Sequence, residues 1–321
     1  VNYTPPAESS PDGFTYTRAH DDFEAVNAYY HIDKSQRYLQ SLDPAFSDRP
    51  AKPIRVNPHG EAGDDNSFYY KGLNMISFGE GGVDDAEDAN VIWHEYAHVI
   101  LDSATPNYLS TGAPHVVRAF HEGWSDYWAS SYRRSLAASR GELSRSDYDW
   151  RELFPWDSGN GTFWSGRHIN HAGTYPTSLT HHNIYRDGLL WATTLMEIFS
   201  SLETHYDTQG ARSISDRLNL QSHYFLPSNP HSFTFRDAAV ALLQADKLLY
   251  DSRHRSMLLD HLEARGFIDP SMYGPQLSYD PDTGVSYSDG RLAFEVGAVA
   301  RDFAVDGVEI QYRRLGETGP F

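Results

Sequence analysis

Nonpolar positions run almost unbroken through the stretch VIWHEYAHVI, where His94, Glu95 and His98 are set among Val91, Ile92, Trp93, Val99 and Ile100. Helical spacing of the apolar residues predicts a helix over 86–103. Burying three titratable groups without partners is costly, so something must satisfy them. The same periodicity predicts helices over 116–138, 187–204, 234–249 and 252–265, and another after Asp21-Asp22, placed to cap it, carrying Phe23, Val26, Tyr30 and Tyr38. Strand patterns cover Lys52 to His59 and NSFYYKGLNMISFGE, Asn66 to Glu80, the latter reading as two strands about a turn near Lys71-Gly72. Residues 1–19 read as an extended arm rich in Pro, Ser and Thr. Residues 139–183 form a long loop full of Trp, Gly, Asp and His, of the kind usually functional or mobile in a compact chain. From about 275 onward, Asp-Gly and Asp-Thr-Gly turns join several short strands.

The 321 residues suffice for a substantial core in two lobes. No apolar run approaches the ~20 residues that span a bilayer. A net charge of −18 argues against nucleic acid or an anionic membrane as partner. With no cysteine in the chain, any metal must be held by His and carboxylates. A start at Val1, without a signal peptide, suggests a trimmed form of a longer, exported precursor.

On a helix His94 and His98, four apart, project from one face and can share a metal ion, with Glu95 leaning toward it. That is the arrangement in which two His hold Zn²⁺ and the Glu takes a proton from water. The continuation VILDSA lacks the Gly and third His of the three-histidine enzymes. HEGWSD downstream puts Glu122 and Asp126 four apart on a second helix, making Glu122 the third ligand and Asp126 the acceptor that orients His94. His121 and Asp102 compete for these roles. The acidic run Asp84, Asp85, Glu87, Asp88 suits the positive end of a helix. Calcium is the alternative there.

HEYAH, HEGWSD, the DDAEDAN ahead of the first and FTFRDAAVALLQADKLLY near 233–250 together resemble the fungalysin family of zinc endopeptidases and its bacterial relatives, with the thermolysin family as more distant kin. The resemblance covers roughly residues 20–270. It implies His94, His98 and Glu122 as zinc ligands and Glu95 as general base. It implies an edge strand on which Asn66, Ser67 and Phe68 hold an extended peptide. Arg167, in SGRHIN, would bind the substrate carbonyl beyond the scissile bond. Fungalysin-like sequences carry an oxyanion-stabilising His three residues before the Gly of a Gly-x-x-Trp-Ala helix, but here YRDGLLWATTL puts Tyr185 at that position. A phenol can also donate to an oxyanion. Tyr185 ranks first for the role, His182 second and Tyr108 third.

The reading is a two-lobed α+β gluzincin metallopeptidase. Residues 1–105 make a mixed lobe with the substrate strand and first zinc helix, 106–272 a mainly helical lobe, and 273–321 a β-rich extension. It implies a secreted or cell-surface zinc endopeptidase acting on protein or peptide substrates and made with an inhibitory propeptide, without nucleic-acid partner or membrane insertion. The rivals are a non-catalytic zinc-binding protein, against which Glu95 argues, and an aminopeptidase, for which no G-x-M-E-N-like stretch is found.

Overall fold

The structure, a computed structural model, describes residues 13–50, 52–144, 149–158 and 166–269, with the backbone of 276–279, 285–288, 291–294 and 296–299. Of the expected arm, residues 1–12 lie outside the described residues, as do 145–148 and 159–165 of the long loop and 300–321 of the extension. The chain divides into two compact units, Val1–Phe267 and Ile268–Phe321.

The first unit is α+β and rich in helix. Asp88 starts the helix that carries the histidines, α2 (Ala89–Ala104), by accepting the Asn90 N–H at 2.7 Å. Its other oxygen takes the N–H groups of Trp156 and Asp157, each at 3.1 Å, and so pins that loop to the helix start. From Asn90 to Leu101 every residue of α2 is buried. The reason is its position between α1 (Asp22–Leu42) and α3 (His115–Ser139), where Trp93 stacks on Tyr132 at 3.8 Å. Asp21 makes no side-chain cap for α1: its own dihedrals are already helical (φ −54°, ψ −21°), and the Phe23 N–H that it would cap donates to the His20 carbonyl at 2.8 Å.

The sheet has the order β1-β3-β2, with β1 at Arg55–Asn57, β2 at Phe68–Tyr70 and β3 at Met75–Ser77. β1 runs parallel to β3, and β2 pairs antiparallel with β3 about a turn over Lys71–Leu73. β2 is therefore an edge strand. A two-residue ribbon joins β4 (Glu152–Leu153) to β5 (Arg167–His168).

α3 and α4 (Ile184–Leu202) meet backbone to backbone. A Cβ at Gly123 would lie 2.2 Å from the Gly188 carbonyl oxygen, and one at Gly188 would lie 2.6 Å from the Ala119 carbonyl oxygen. Only hydrogen fits at either position. The apolar pattern did not reveal α5 (Thr208–His223), whose buried face holds Arg212, Ser215, Asp216, Asn219 and Ser222. Asp216 is fully buried but satisfied, accepting from Tyr38 (2.8 Å), Tyr127 (2.6 Å), Ser131 (2.9 Å) and Arg212 Nε (3.1 Å). α6 (Phe235–Tyr250) opens on a Thr234–Asp237 capping box and α7 (Arg255–Ala264) follows. Among the described residues no helix is long and apolar enough to cross a membrane.

In the second unit β6 (Gln276–Tyr279) pairs antiparallel with β9 (Val296–Val299), and β7 (Val285–Ser288) with β8 (Arg291–Phe294).

Candidate active site

α2 and α3 bring the two motifs together. The His94 and His98 rings lie 5.0 Å apart at 88°, and one donor atom each from His94, Glu95 and His98 falls within 4.8 Å of the others. From α3, Glu122 turns its Oε2 to His94 Nε2 at 3.3 Å and its Oε1 to His98 Nε2 at 3.9 Å. Asp126, one turn on and fully buried, sets Oδ1 2.9 Å from His94 Nδ1. Ser125 Oγ lies 3.2 Å from His98 Nδ1. Both rings thus turn Nε2 to the centre while Nδ1 meets an orienting oxygen. Ser125 carries no motif of its own. Its one sequence signal is a position three after Glu122 on the same helix.

The electrostatics follow from burial and charge. Burial alone would lower the His94 pKa, but Asp126 and Glu122 hold it above its ordinary value. Burial would raise Glu122, yet His94 and His98 keep it well below the usual carboxylate range. Burial pulls His98 down to about 4. Burial, with Glu122 and Asp85 adding to it, lifts Glu95 to about 7, in the range suited to proton transfer near neutrality.

β5 delivers Arg167 to this cluster. Its Nη2 donates to Asp126 Oδ1 at 2.7 Å, and its guanidinium lies between the rings of Phe154 (4.7 Å) and Tyr185 (5.0 Å). Phe154 also packs edge-on against His94. Tyr185 is 39% exposed, and its hydroxyl pKa is raised by burial and by Glu122 and Glu95, which places it beside these two carboxylates. Asp187 holds the segment before it, accepting from Thr180 N–H (2.7 Å) and His181 N–H (2.9 Å) and meeting His115 Nε2 at 2.7 Å.

The other candidates are engaged elsewhere. His182 is exposed, its Nδ1 lying 2.7 Å from the Thr180 carbonyl oxygen. The Tyr108 hydroxyl donates to the Pro227 carbonyl at 2.8 Å. Asp102 is bound by Lys71 and Tyr69. His121 is buried and stacks over His98 with ring centroids 5.9 Å apart. Asn66 Oδ1 accepts the Ser67 N–H, and the Ser67 hydroxyl donates to Asp85 at 2.5 Å, so the Ser67 backbone donor and both side chains are engaged within the fold. Phe68 and Tyr70 are exposed on β2. In the acidic run Asp88 is spent on its cap and on the 156–157 backbone, while carboxylate oxygens of Asp85, Asp65 and Asp157 come within 4.8 Å of one another.

The family model described as Fungalysin metallopeptidase (M36) matches residues 54–267. A protein named "Extracellular metalloproteinase MEP" from Pyricularia oryzae is 24% identical over 313 residues, which is 84% of this chain and 46% of that protein. A protein of the same name from Leptosphaeria maculans is 25% identical over 218 residues, 62% of this chain and 32% of its own length. The chain thus spans less than half the length of these curated relatives.

Proposed function

This chain belongs to the fungalysin metallopeptidase family, and from that premise we propose that it is a zinc endopeptidase acting outside the cell on proteins or peptides. The observation that carries the reading is Glu122, whose two oxygens face Nε2 of both His94 and His98 while Glu95 stands beside them.

The donor set fits zinc: two buried imidazole nitrogens and a partly exposed carboxylate, in a chain without cysteine. Glu122 Oε2 is buried without a hydrogen bond, which suits an oxygen that shares a cation with His94. His94, His98 and Glu122 would hold the ion. When bound, zinc supplies the positive charge that acidifies water and polarises a peptide carbonyl.

The remaining work falls to the protein. Glu95 takes the proton of the attacking water and passes it to the leaving amine. Asp126 and Ser125 keep the two imidazoles in one tautomer and orientation. Arg167, already anchored on Asp126, reaches for the substrate carbonyl beyond the scissile bond. Tyr185 donates to the developing oxyanion, ahead of His182 and Tyr108, whose polar atoms are occupied. The free edge of β2 takes the substrate as an added strand, with Asn66 and Ser67 flanking its start, and Phe68 supplies an apolar contact. We read the body of the chain as two lobes, with this site in the cleft between them. Calcium, the second ion that the acidic run suggests, would find oxygen donors at Asp65, Asp85 and Asp157.

The test is Glu95→Gln assayed with casein and by elemental analysis. The variant should fold and keep one zinc while losing several orders of magnitude in turnover, because an amide accepts no proton. Full activity in that variant would refute the mechanism, and retained zinc without activity in the parent protein would favour a binding role.

A further inference from the structure

Arg118 stands on α3 one turn before Glu122 and two before Asp126, so the three share one helix face. Asp126 is fully buried, Glu122 partly exposed and Arg118 exposed, so this face climbs from the interior to the surface. The neighbouring helix brings Tyr185 to the same place. Tyr185 lies one turn before Gly188, the point at which α4 touches the backbone of Ala119 and Gly123. The two are close enough for the Arg118 charge to favour ionisation of the Tyr185 hydroxyl.

Arg167, the guanidinium that reaches the metal-ligand cluster, pairs with Asp126, and Lys71 pairs with Asp102. The Arg118 backbone N–H donates to the Pro114 carbonyl at 3.1 Å, while its side chain has no ion-pair, hydrogen-bond or ring partner among the described residues. In a chain with 44 acidic and 26 basic residues, an uncommitted guanidinium at the lip of a metal cleft is a local reversal of the prevailing field. Such a group repels cations and offers a planar fork that matches a carboxylate.

We propose that Arg118 is a specificity-determining residue that reads a carboxylate on the peptide, either an acidic side chain near the scissile bond or the peptide's own C-terminus. This rests on the peptidase reading above. Four residues of helix separate its Cα from that of Glu122 by about 6 Å. An extended peptide advances about 3.3 Å per residue, so the fork covers the two residues nearest the bond cleaved.

The test uses zinc-loaded protein and matched fluorogenic peptides carrying Glu or Gln at each of the two positions on either side of the scissile bond. Each peptide is made with a free and with an amidated C-terminus. Wild type should favour the carboxylate in kcat/KM by roughly three- to fivefold at low salt, and less as salt rises. Arg118→Gln should bring that ratio to one, Arg118→Glu should invert it, and Arg118→Lys should keep most of it. A preference for Glu identifies the side chain as the source, and a preference for the free acid over the amide identifies the C-terminus. Binding of the same peptides to zinc-loaded Glu95→Gln, followed by fluorescence anisotropy, gives the ratio without turnover. Wild type that distinguishes neither Glu from Gln nor the free C-terminus from the amide, or a preference that survives Arg118→Gln, overturns the assignment. Carboxylate-selective binding that Arg118→Gln abolishes, in a protein that cleaves none of the peptides, would instead remove the peptidase reading and leave Arg118 as the reader.

Discussion

Nδ1 of His94 stands 2.9 Å from Oδ1 of Asp126, and that same oxygen accepts a hydrogen bond from Arg167 at 2.7 Å. One buried carboxylate thus holds the His94 imidazole and the Arg167 guanidinium together. Asp126→Ala should weaken zinc binding by about 10- to 100-fold, the usual effect of removing such a support. Competition with a chelator measures it. Affinity equal to wild type would show that Asp126 does not orient the ring.

Tyr185→Phe keeps the ring that packs on Arg167 and removes only the hydroxyl. The expected result is a fall in kcat of about 10²–10³ with little change in KM, since the bond strengthens as charge develops. His182→Ala should be nearly silent, because its ring is exposed and engaged with Thr180. Steady-state kinetics of both variants decide the matter, and the reverse pattern would transfer the role to His182.

His223 sets a pH limit on the fold. It is 2% exposed, and burial pulls its pKa down to about 3, against about 6.5 in an unfolded chain. Above pH 6.5 the ring is neutral in both states and costs nothing. As pH falls from 6.5 toward 3 the unfolded chain takes up a proton that the folded one refuses, so stability is progressively lost. By pH 4 this one group should remove on the order of 3 kcal/mol. Urea midpoints of His223→Leu followed from pH 7 to pH 4 should decline less steeply than those of wild type. Parallel curves would mean that another group governs acid unfolding.

The sequence makes α2 and α3 readable because helical spacing and chemistry coincide there: His94, His98, Glu122 and Asp126 are two pairs four apart, and four apart on a helix means one face. α5 escaped notice because its buried face is polar, and Asp216 and Arg212 look like surface residues until Tyr38, Tyr127 and Ser131 close around them. The strands around the Lys71-Gly72 turn were legible from alternation, yet the inward turn of Ser67 was not, since its partner Asp85 belongs to a run that reads equally well as a helix start. The Tyr108 hydroxyl finds Pro227, 119 positions away, through tertiary folding that local pattern does not encode. Ser125 was hidden for a simpler reason: a serine three residues after Glu122 has many ordinary uses.

The contact between Gly123 and Gly188 bears on how such a fold can diversify. Where two helices meet through backbone atoms, their separation is set by groups common to all amino acids and stays constant while the lip of the cleft varies. Exchanges at the exposed Arg118 or Phe68 therefore leave that separation untouched. A single methyl group at either glycine would shift the helix carrying Tyr185 against the helix carrying Glu122, changing every cleft distance at once.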